Sequence, residues 1–213
     1  MGKYKKGILG YFRGKVGTVV GSIWKGINYM KSLPDVSNSE PTQAQLNVRL
    51  KFAIVVDFIS KLKGLINIGY QKFNKGITPM NAATSYHLKS AITGVAPSYQ
   101  LTYSKVIISV GDLEDLINFS VTSAPDTEVV FTWNENVAMD YGKATDQVTF
   151  LVYCAMLQKS ARVLKVVPRS ALTYTMSIPQ EFGGYEVQCY VMVTSADGKE
   201  CSTSQHMGPL TLL

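Results

Sequence analysis

The stretch EVQCYVMVTSADGKECSTSQH, residues 186–206, decides the fold. An apolar, β-branched run to Thr194 is followed by Asp197-Gly198, a dipeptide that suits a tight hairpin turn, and then by a second run. With the turn centred there, Ser195 faces Glu200, Thr194 faces Cys201 and Cys189 faces His206. Side chains alternate between the faces of a strand, so Cys189 and Cys201 fall on opposite faces and are not expected to bond to each other. The third cysteine, Cys154, forms no CxxC spacing with either, and reduced, buried thiols are expected.

Working outward, the same texture recurs from Tyr99 onward. The runs LTYSKVIISV (101–110), INFSVTS (117–123), EVVFTWNEN (128–136), DQVTFLVYCAML (146–157), RVLKVV (162–167) and LTYTMSI (172–178) are separated by turn signals roughly every ten residues. The hairpin at 186–206 closes the series, its second strand being STSQHM. This count and spacing predict an immunoglobulin-like or fibronectin-like sandwich over residues 99–213. Trp133 precedes every cysteine, so the Cys…Trp…Cys order of antibody domains is absent.

Upstream, residues 35–95 read as a helical section. TQAQ fits a capping box, with Thr42 as N-cap and Gln45 reaching back, and predicts a helix to about Lys63. Leu50, Ile54 and Phe58 line one side of it. Val48, Phe52, Val55 and Ile59 line nearly the opposite side, so burial on one face does not account for it. Either the helix is central to its own lobe or the second stripe is a self-association face. A short helix in LINIGYQKF follows. Another runs from Thr78-Pro79 to about Ile92, with proline at its first position.

Residues 1–34 hold seven of the 17 glycines within the first 30 positions, interleaved with β-prone pieces and with Tyr4, Tyr11, Phe12, Trp24 and Tyr29. Short glycine-punctuated strands are expected, with PDVSNSEP (34–41) as a loop after them. Gly10 to Lys15 imitates a phosphate loop, but only three residues separate Gly10 from Gly14, and Val16 stands where Ser or Thr must reach magnesium. The glycines are therefore read as conformational, and Arg13, Lys15, Lys25 and Lys31 as cations carried along a basic ribbon. Such a ribbon can meet phosphates with its cations and stack bases on its aromatics. Equally, the aromatics can be core and the lysines can keep the ribbon edges soluble.

The net charge of +6 is uneven: residues 1–80 carry 13 Lys and Arg against three acids, while residues 81–213 carry eight against 12. A net +10 thus precedes a net −4, as expected of an anion-binding arm or of a basic lobe set against an acidic one in the same chain or a neighbouring copy. The first 12 residues are too poor in apolar side chains for a signal peptide, and the longest apolar run, FAIVVDFI, is broken by Asp57. A soluble protein made in the cytoplasm without a secretion signal, and without a membrane span, is expected.

Catalytic signals are weak. The only histidines are His87 and His206, and no H-E-x-x-H, G-x-S-x-G or clustered Cys/His spacing is present. The predicted register allows Cys189 to meet His206, which could activate a thiol but is more simply incidental pairing on a sandwich. Asp112, Glu114 and Asp115 form one acidic turn without further ligands, which is usually solvated. No cofactor or metal site is expected.

Three segments, GKVGTVVGSIWKGINYMKSLP (14–34), PTQAQLNVRLKFAIVVDFISKLKGLINIGY (41–70) and SADGKECSTS (195–204), together resemble a Bacteroidota family known as a domain of unknown function, number 6266. The likeness rests on G-K-V-G followed by W-K-G, and on a Q-x-x-x-R-x-x-F helix made by Gln45, Arg49 and Phe52. It covers nearly the whole chain and implies no activity, only that the three parts travel together.

The expectation is thus an α+β protein comprising a glycine-rich basic β-ribbon, a helical section and a sandwich. Its expected role is a non-enzymatic structural protein that self-assembles, such as a phage virion or filament component. The alternative is a nucleic-acid-binding accessory protein using the basic ribbon, and an enzyme of unrecognised type comes third.

Overall fold

The computed structural model describes residues 2–4, 10–24, 26–34, 39–74, 76–125, 127–136 and 139–212, with Tyr4 and Asn74 described by backbone alone. The chain divides into two compact units, Met1–Thr42 and Gln43–Leu213.

The smaller unit is an antiparallel sheet in the order β1 (Lys3–Tyr4), β2 (Phe12–Val16), β3 (Val19–Trp24), β4 (Ile27–Ser32). Its turns are tight because glycine takes backbone angles that other residues avoid: Gly17 has φ +57° and Gly26 has φ +83°. Gly21 serves close approach instead, since a Cβ there would run into the carbonyl oxygen of Phe12. All six residues of β4 are exposed.

The larger unit begins with α1 (Gln43–Lys61), α2 (Lys63–Gly69) and α3 (Pro79–Ser90). Thr78 caps α3, its hydroxyl accepting from the Asn81 N–H at 3.2 Å, with proline in the first turn. A minimal pair, β5 (Ile92–Thr93) and β6 (Gln100–Leu101), follows. Seven further strands form a sandwich: β7 (Ile117–Ala124), β8 (Glu128–Asn134), β9 (Gln147–Cys154), β10 (Lys159–Pro168), β11 (Thr173–Ser177), β12 (Glu186–Thr194) and β13 (Gln205–Thr211). One sheet is ordered β11-β8-β7 and the other β10-β9-β12-β13.

Between these sheets lies an aromatic core. Phe150 stacks on Phe131 with ring centroids 4.4 Å apart and on Tyr174 at 5.2 Å, with Trp133 tilted against it at 5.8 Å. Val148, Val152 and Cys154 of β9 join it, as do Val187, Cys189, Val191 and Val193 of β12. The alternate residues Leu151, Tyr153, Tyr190 and Met192 point the other way and pack with the helices. Strands covered on both faces have no polar side to alternate with, which is why both read as largely apolar runs in the sequence, interrupted only by Thr149 and Gln188 between their first and last residues. The helices therefore share their core with a sandwich sheet and do not form a separate lobe.

Two sequence expectations need correction. LTYSKVIISV is not a strand: it contains the end of β6, a 3₁₀ turn at Tyr103–Lys105, and then a buried extended passage. Its N–H groups bond outside any ladder, Ile107 to His87 Nε2, Ile108 to Ser204 Oγ and Val110 to the Gly69 carbonyl. The second is the hairpin register. Ser195 does bond to Glu200 and Thr194 does bridge to Cys201, but β13 pairs Cys189 with Met207 and Tyr190 with His206. One residue is inserted between Ser202 and Gln205. There the chain turns partly away from β12, with Ser204 N–H bonding to Ser109 and Cys201 C=O accepting from Leu113.

Candidate functional site

The cations of the small sheet are ordered by its register. Lys15 pairs with Val20, and Val20 with Lys31, so the two lysines flank one valine in a row across three strands. Ser22↔Tyr29 and Trp24↔Ile27 continue the same face, because residues two apart along a strand point the same way. Lys15, Lys31, Tyr29 and Trp24 are all exposed, giving a face on which ammonium groups neighbour aromatic rings. Arg13 is also exposed and pairs with Lys3. Lys25 lies outside the described residues.

The stripe expected on α1 is divided along its length. Val55 and Ile59 are fully buried in the core shared with the sheet, as is Phe58 from the other side, so neither Val55 nor Ile59 is available to a partner. The helix is covered on both of its apolar sides in its second half. Val48 is 65% exposed and Phe52 49%, and Leu46 and Leu50 are exposed on the nearly opposite side. Only the first half of α1 presents apolar side chains outward.

The Cys189–His206 dyad is not formed, for the register places them one step apart. Cys189 points into the sandwich core, whereas His206 lies on the other face with its Nε2 2.7 Å from Gln188 Oε1. Burial pushes the Cys189 thiol up to about 12. Burial also raises Cys201 to about 11 against the opposing effect of Lys72, and its Sγ donates to the Gly69 carbonyl at 3.2 Å. All three thiols are free and buried.

The acidic turn at 112–115 is a structural clamp. Glu114 Oε1 accepts from the backbone N–H groups of Tyr141 and Asp140, each at 2.8 Å, which lowers its pKa. Asp112 pairs with Lys72 at 3.4 Å, and burial raises the Asp115 pKa. Among the described residues no cluster of three or more His, Cys, Asp or Glu could hold a metal ion. The residue organising this region is Arg169, 2% exposed, which donates to the carbonyls of Glu114 at 2.5 Å and Asp115 at 3.2 Å. Its own carbonyl accepts from the Trp133 indole at 2.7 Å. Nothing in VVPRSAL distinguishes this arginine from a surface one, and its role was not legible in the sequence.

Beside this clamp a cleft of about 410 Å³ opens between Lys72, Asp112, Tyr141 and Lys199. The Gln71 side-chain nitrogen at its wall is buried without a hydrogen-bond partner. The cleft offers ammonium and amide donors beside carboxylates, but its one thiol, Cys201, is protonated at neutral pH.

The larger unit is mostly a β-sandwich, joined by the three helices. Its solved structural neighbours are fibronectin type III-like. They include the fn3 domain of human collagen alpha-1(XX) chain, at 14% identity and TM-score 0.36 over 47% of this chain and 88% of that one. The fn3 domain of human contactin 1 matches at 11% identity and TM-score 0.29, over 49% and 87% respectively. No curated protein matches the chain. The chain belongs to DUF6266, a family of unknown function, whose pattern matches residues 11–208. No described helix is long and apolar enough to cross a membrane.

Proposed function

We propose that this is a non-enzymatic structural protein that self-assembles, in the manner of a virion or filament component. The observation that carries the proposal is the unequal burial of α1. Its second half is core, yet Leu46, Val48, Leu50 and Phe52 stand exposed over its first turns. Val48 and Phe52 on one side of the helix, and Leu46 and Leu50 on the nearly opposite side, leave apolar surface of the kind that marks an interaction site, and a second copy supplies the cover. Charge favours such an arrangement, since residues 43–90 carry seven basic groups against the single acid Asp57, while residues 91–213 carry seven against 12. Copies set head to tail would bring opposite charges together, and a head-to-tail contact that does not close propagates as a filament. The chemically able groups are otherwise committed: the thiols are buried, and both histidines are hydrogen-bonded within the fold.

Light scattering of the full chain should give a mass above the 23.4 kDa of one copy, and Phe52→Glu should reduce it while leaving the β circular-dichroism signal. A wild-type chain that stays monomeric at tens of micromolar would overturn the reading.

The aligned Lys15–Val20–Lys31 row, with Tyr29 and Trp24 on the same face, favours a second reading as a nucleic-acid-binding accessory protein. In that case oligonucleotide affinity should fall by about 0.7–0.9 log units per log unit of salt for each phosphate neutralised. Glutamine at Arg13, Lys15, Lys25 and Lys31 should flatten the slope, and no binding at about 50 mM salt would remove this reading.

A further inference from the structure

The outer edge of β4 carries a more specific consequence. It is the terminal strand of its sheet, all six of its residues are exposed, and no strand lies beyond it among the described residues. Its hydrogen-bond phase follows from its base, where the Leu33 N–H donates to the Thr18 carbonyl at 2.8 Å. The same register continues as Val20↔Lys31, Ser22↔Tyr29 and Trp24↔Ile27. In an antiparallel ladder every second pair exchanges bonds, so Ile27, Tyr29 and Lys31 direct their N–H and C=O groups to β3. Asn28, Met30 and Ser32 therefore direct theirs outward. Long, apolar edges are normally blunted by charge, proline or a bulge, yet this one carries Ile27, Tyr29 and Met30 with Lys31 as its single charge.

We propose that a second copy of this chain adds its own β4 to this edge, antiparallel, about a two-fold axis perpendicular to the sheet. The inference rests on the self-assembly reading and names one of its interfaces. Such an axis maps each sheet face onto itself, so the numbers of paired residues must sum to an even value. Three registers satisfy this with at least two hydrogen-bonded pairs among the outward residues Asn28, Met30 and Ser32. Met30 opposite Met30, with Asn28 opposite Ser32, makes about six backbone bonds, whereas a shift either way leaves about four within the strand. One of those shifts also sets Lys31 against Lys31, which like charge disfavours. In the central register Tyr29 stands opposite the partner's Lys31 in a non-hydrogen-bonded pair, the closer kind, where an ammonium can lie over a ring. Symmetry makes that contact twice. The edge holds both halves of the complement, which identifies the occupant as another copy.

Met30→Pro in the full chain tests this, because the lost N–H points outward and the internal ladder is kept. Association should weaken at least about tenfold, the 1.4 kcal/mol scale of one or two lost hydrogen bonds, with the β circular-dichroism signal unchanged. Met30→Cys supplies a second readout. Facing Cα atoms about 5.5 Å apart lie within disulfide reach, so mild oxidation should give a covalent dimer, the native thiols being buried. Tyr29→Cys alone should not cross-link, but should do so when mixed with Lys31→Cys. If Met30→Pro keeps the wild-type mass and Met30→Cys links no faster than Glu186→Cys, edge pairing is overturned. Self-assembly itself then survives if Phe52→Glu still dissolves the particle. A wild-type monomer whose Met30→Cys form does not link overturns both, and if Met30→Pro misfolds, the cross-linking alone decides.

Discussion

The sandwich and the small sheet use the same residue types to opposite ends. In the sandwich, β9 and β12 bury side chains on both faces, and Phe131, Phe150, Val191 and Val193 are at most 1% exposed. In the small sheet, Ile27 is 63% exposed and Met30 71%. The first has a second sheet on one side and helices on the other. Among its described residues the smaller unit buries little of what it carries. The larger unit hides its apolar residues in a core, whereas the smaller leaves them outward among its described residues, and this is the difference on which the self-assembly proposal draws.

The contrast is broken most directly by truncating one residue of each kind. Phe150→Ala should cost about 3–5 kcal/mol, because the cavity forms at the centre of the aromatic stack and neighbouring strands cannot collapse into it. Ile27→Ala should change monomer stability by no more than about 0.5 kcal/mol, since it removes a mostly solvated side chain. Urea unfolding of the two variants measures both. An Ile27→Ala cost approaching that of Phe150→Ala would show that the small sheet has a core of its own and would end the comparison.

Arg169 sharpens the point from within the sandwich. Arg169→Met keeps much of the packing volume but strands the Glu114 and Asp115 carbonyls, so about 2–4 kcal/mol should be lost. The loop at 139–142, tied to Glu114, should become more accessible to hydrogen exchange. A neutral substitution would mean that the clamp at 112–115 holds without the guanidinium.

Much of this was legible because it depends on local chemistry. β7, β8, β10 and β11 follow from strand-like composition and turn residues, β9 and β12 from their apolar runs, the Asp197-Gly198 turn from its dipeptide, and the start of α3 from Thr78 and Pro79. The parts that were not legible depend on partners distant in sequence. Residues 101–110 look like a strand by composition, but their N–H groups are met by His87, Ser204 and Gly69, none of which the segment itself announces. The extra residue near Ser204 exists because Ser109 competes with β12 for that stretch, and arithmetic from the turn alone carries the register one residue out. On α1, the heptad-like stripe is real as a pattern, but the sheet covers only its second half. Of the candidate site, the sequence located the cations and the apolar stripe. Which of them share a face, and which are buried, needed the register and the core.

The smallest expected effect separates the two units by pH. His87 is fully buried, with Nδ1 2.7 Å from the Ala83 carbonyl and Nε2 accepting the Ile107 N–H at 3.3 Å, so the neutral ring satisfies both neighbours. Burial lowers its pKa below the usual 6.5, opposed by the bond to Ala83. The sign follows from where the proton binds. Below about pH 6.5 the unfolded chain takes up a proton that the folded chain refuses, so stability is full above that value and is lost as pH falls. His206, also lowered by burial, acts in the same direction, while Asp115, raised by burial, acts against them at lower pH. Between pH 7.5 and 5.5, where ordinary carboxylates stay ionised, His87 should contribute a measurable part of the loss of stability. Residues 1–42 contain no histidine, so cross-linking through Met30→Cys, followed with an oxidant whose rate is calibrated at each pH, should keep its selectivity over the same range. Chemical denaturation at the two pH values, for wild type and for His87→Gln, whose amide can donate and accept without titrating, isolates the contribution. If His87→Gln shows the full wild-type pH dependence, the buried imidazole is not its source; if the selectivity of Met30→Cys linking falls together with stability, the two units are not independent and the comparison fails at its base.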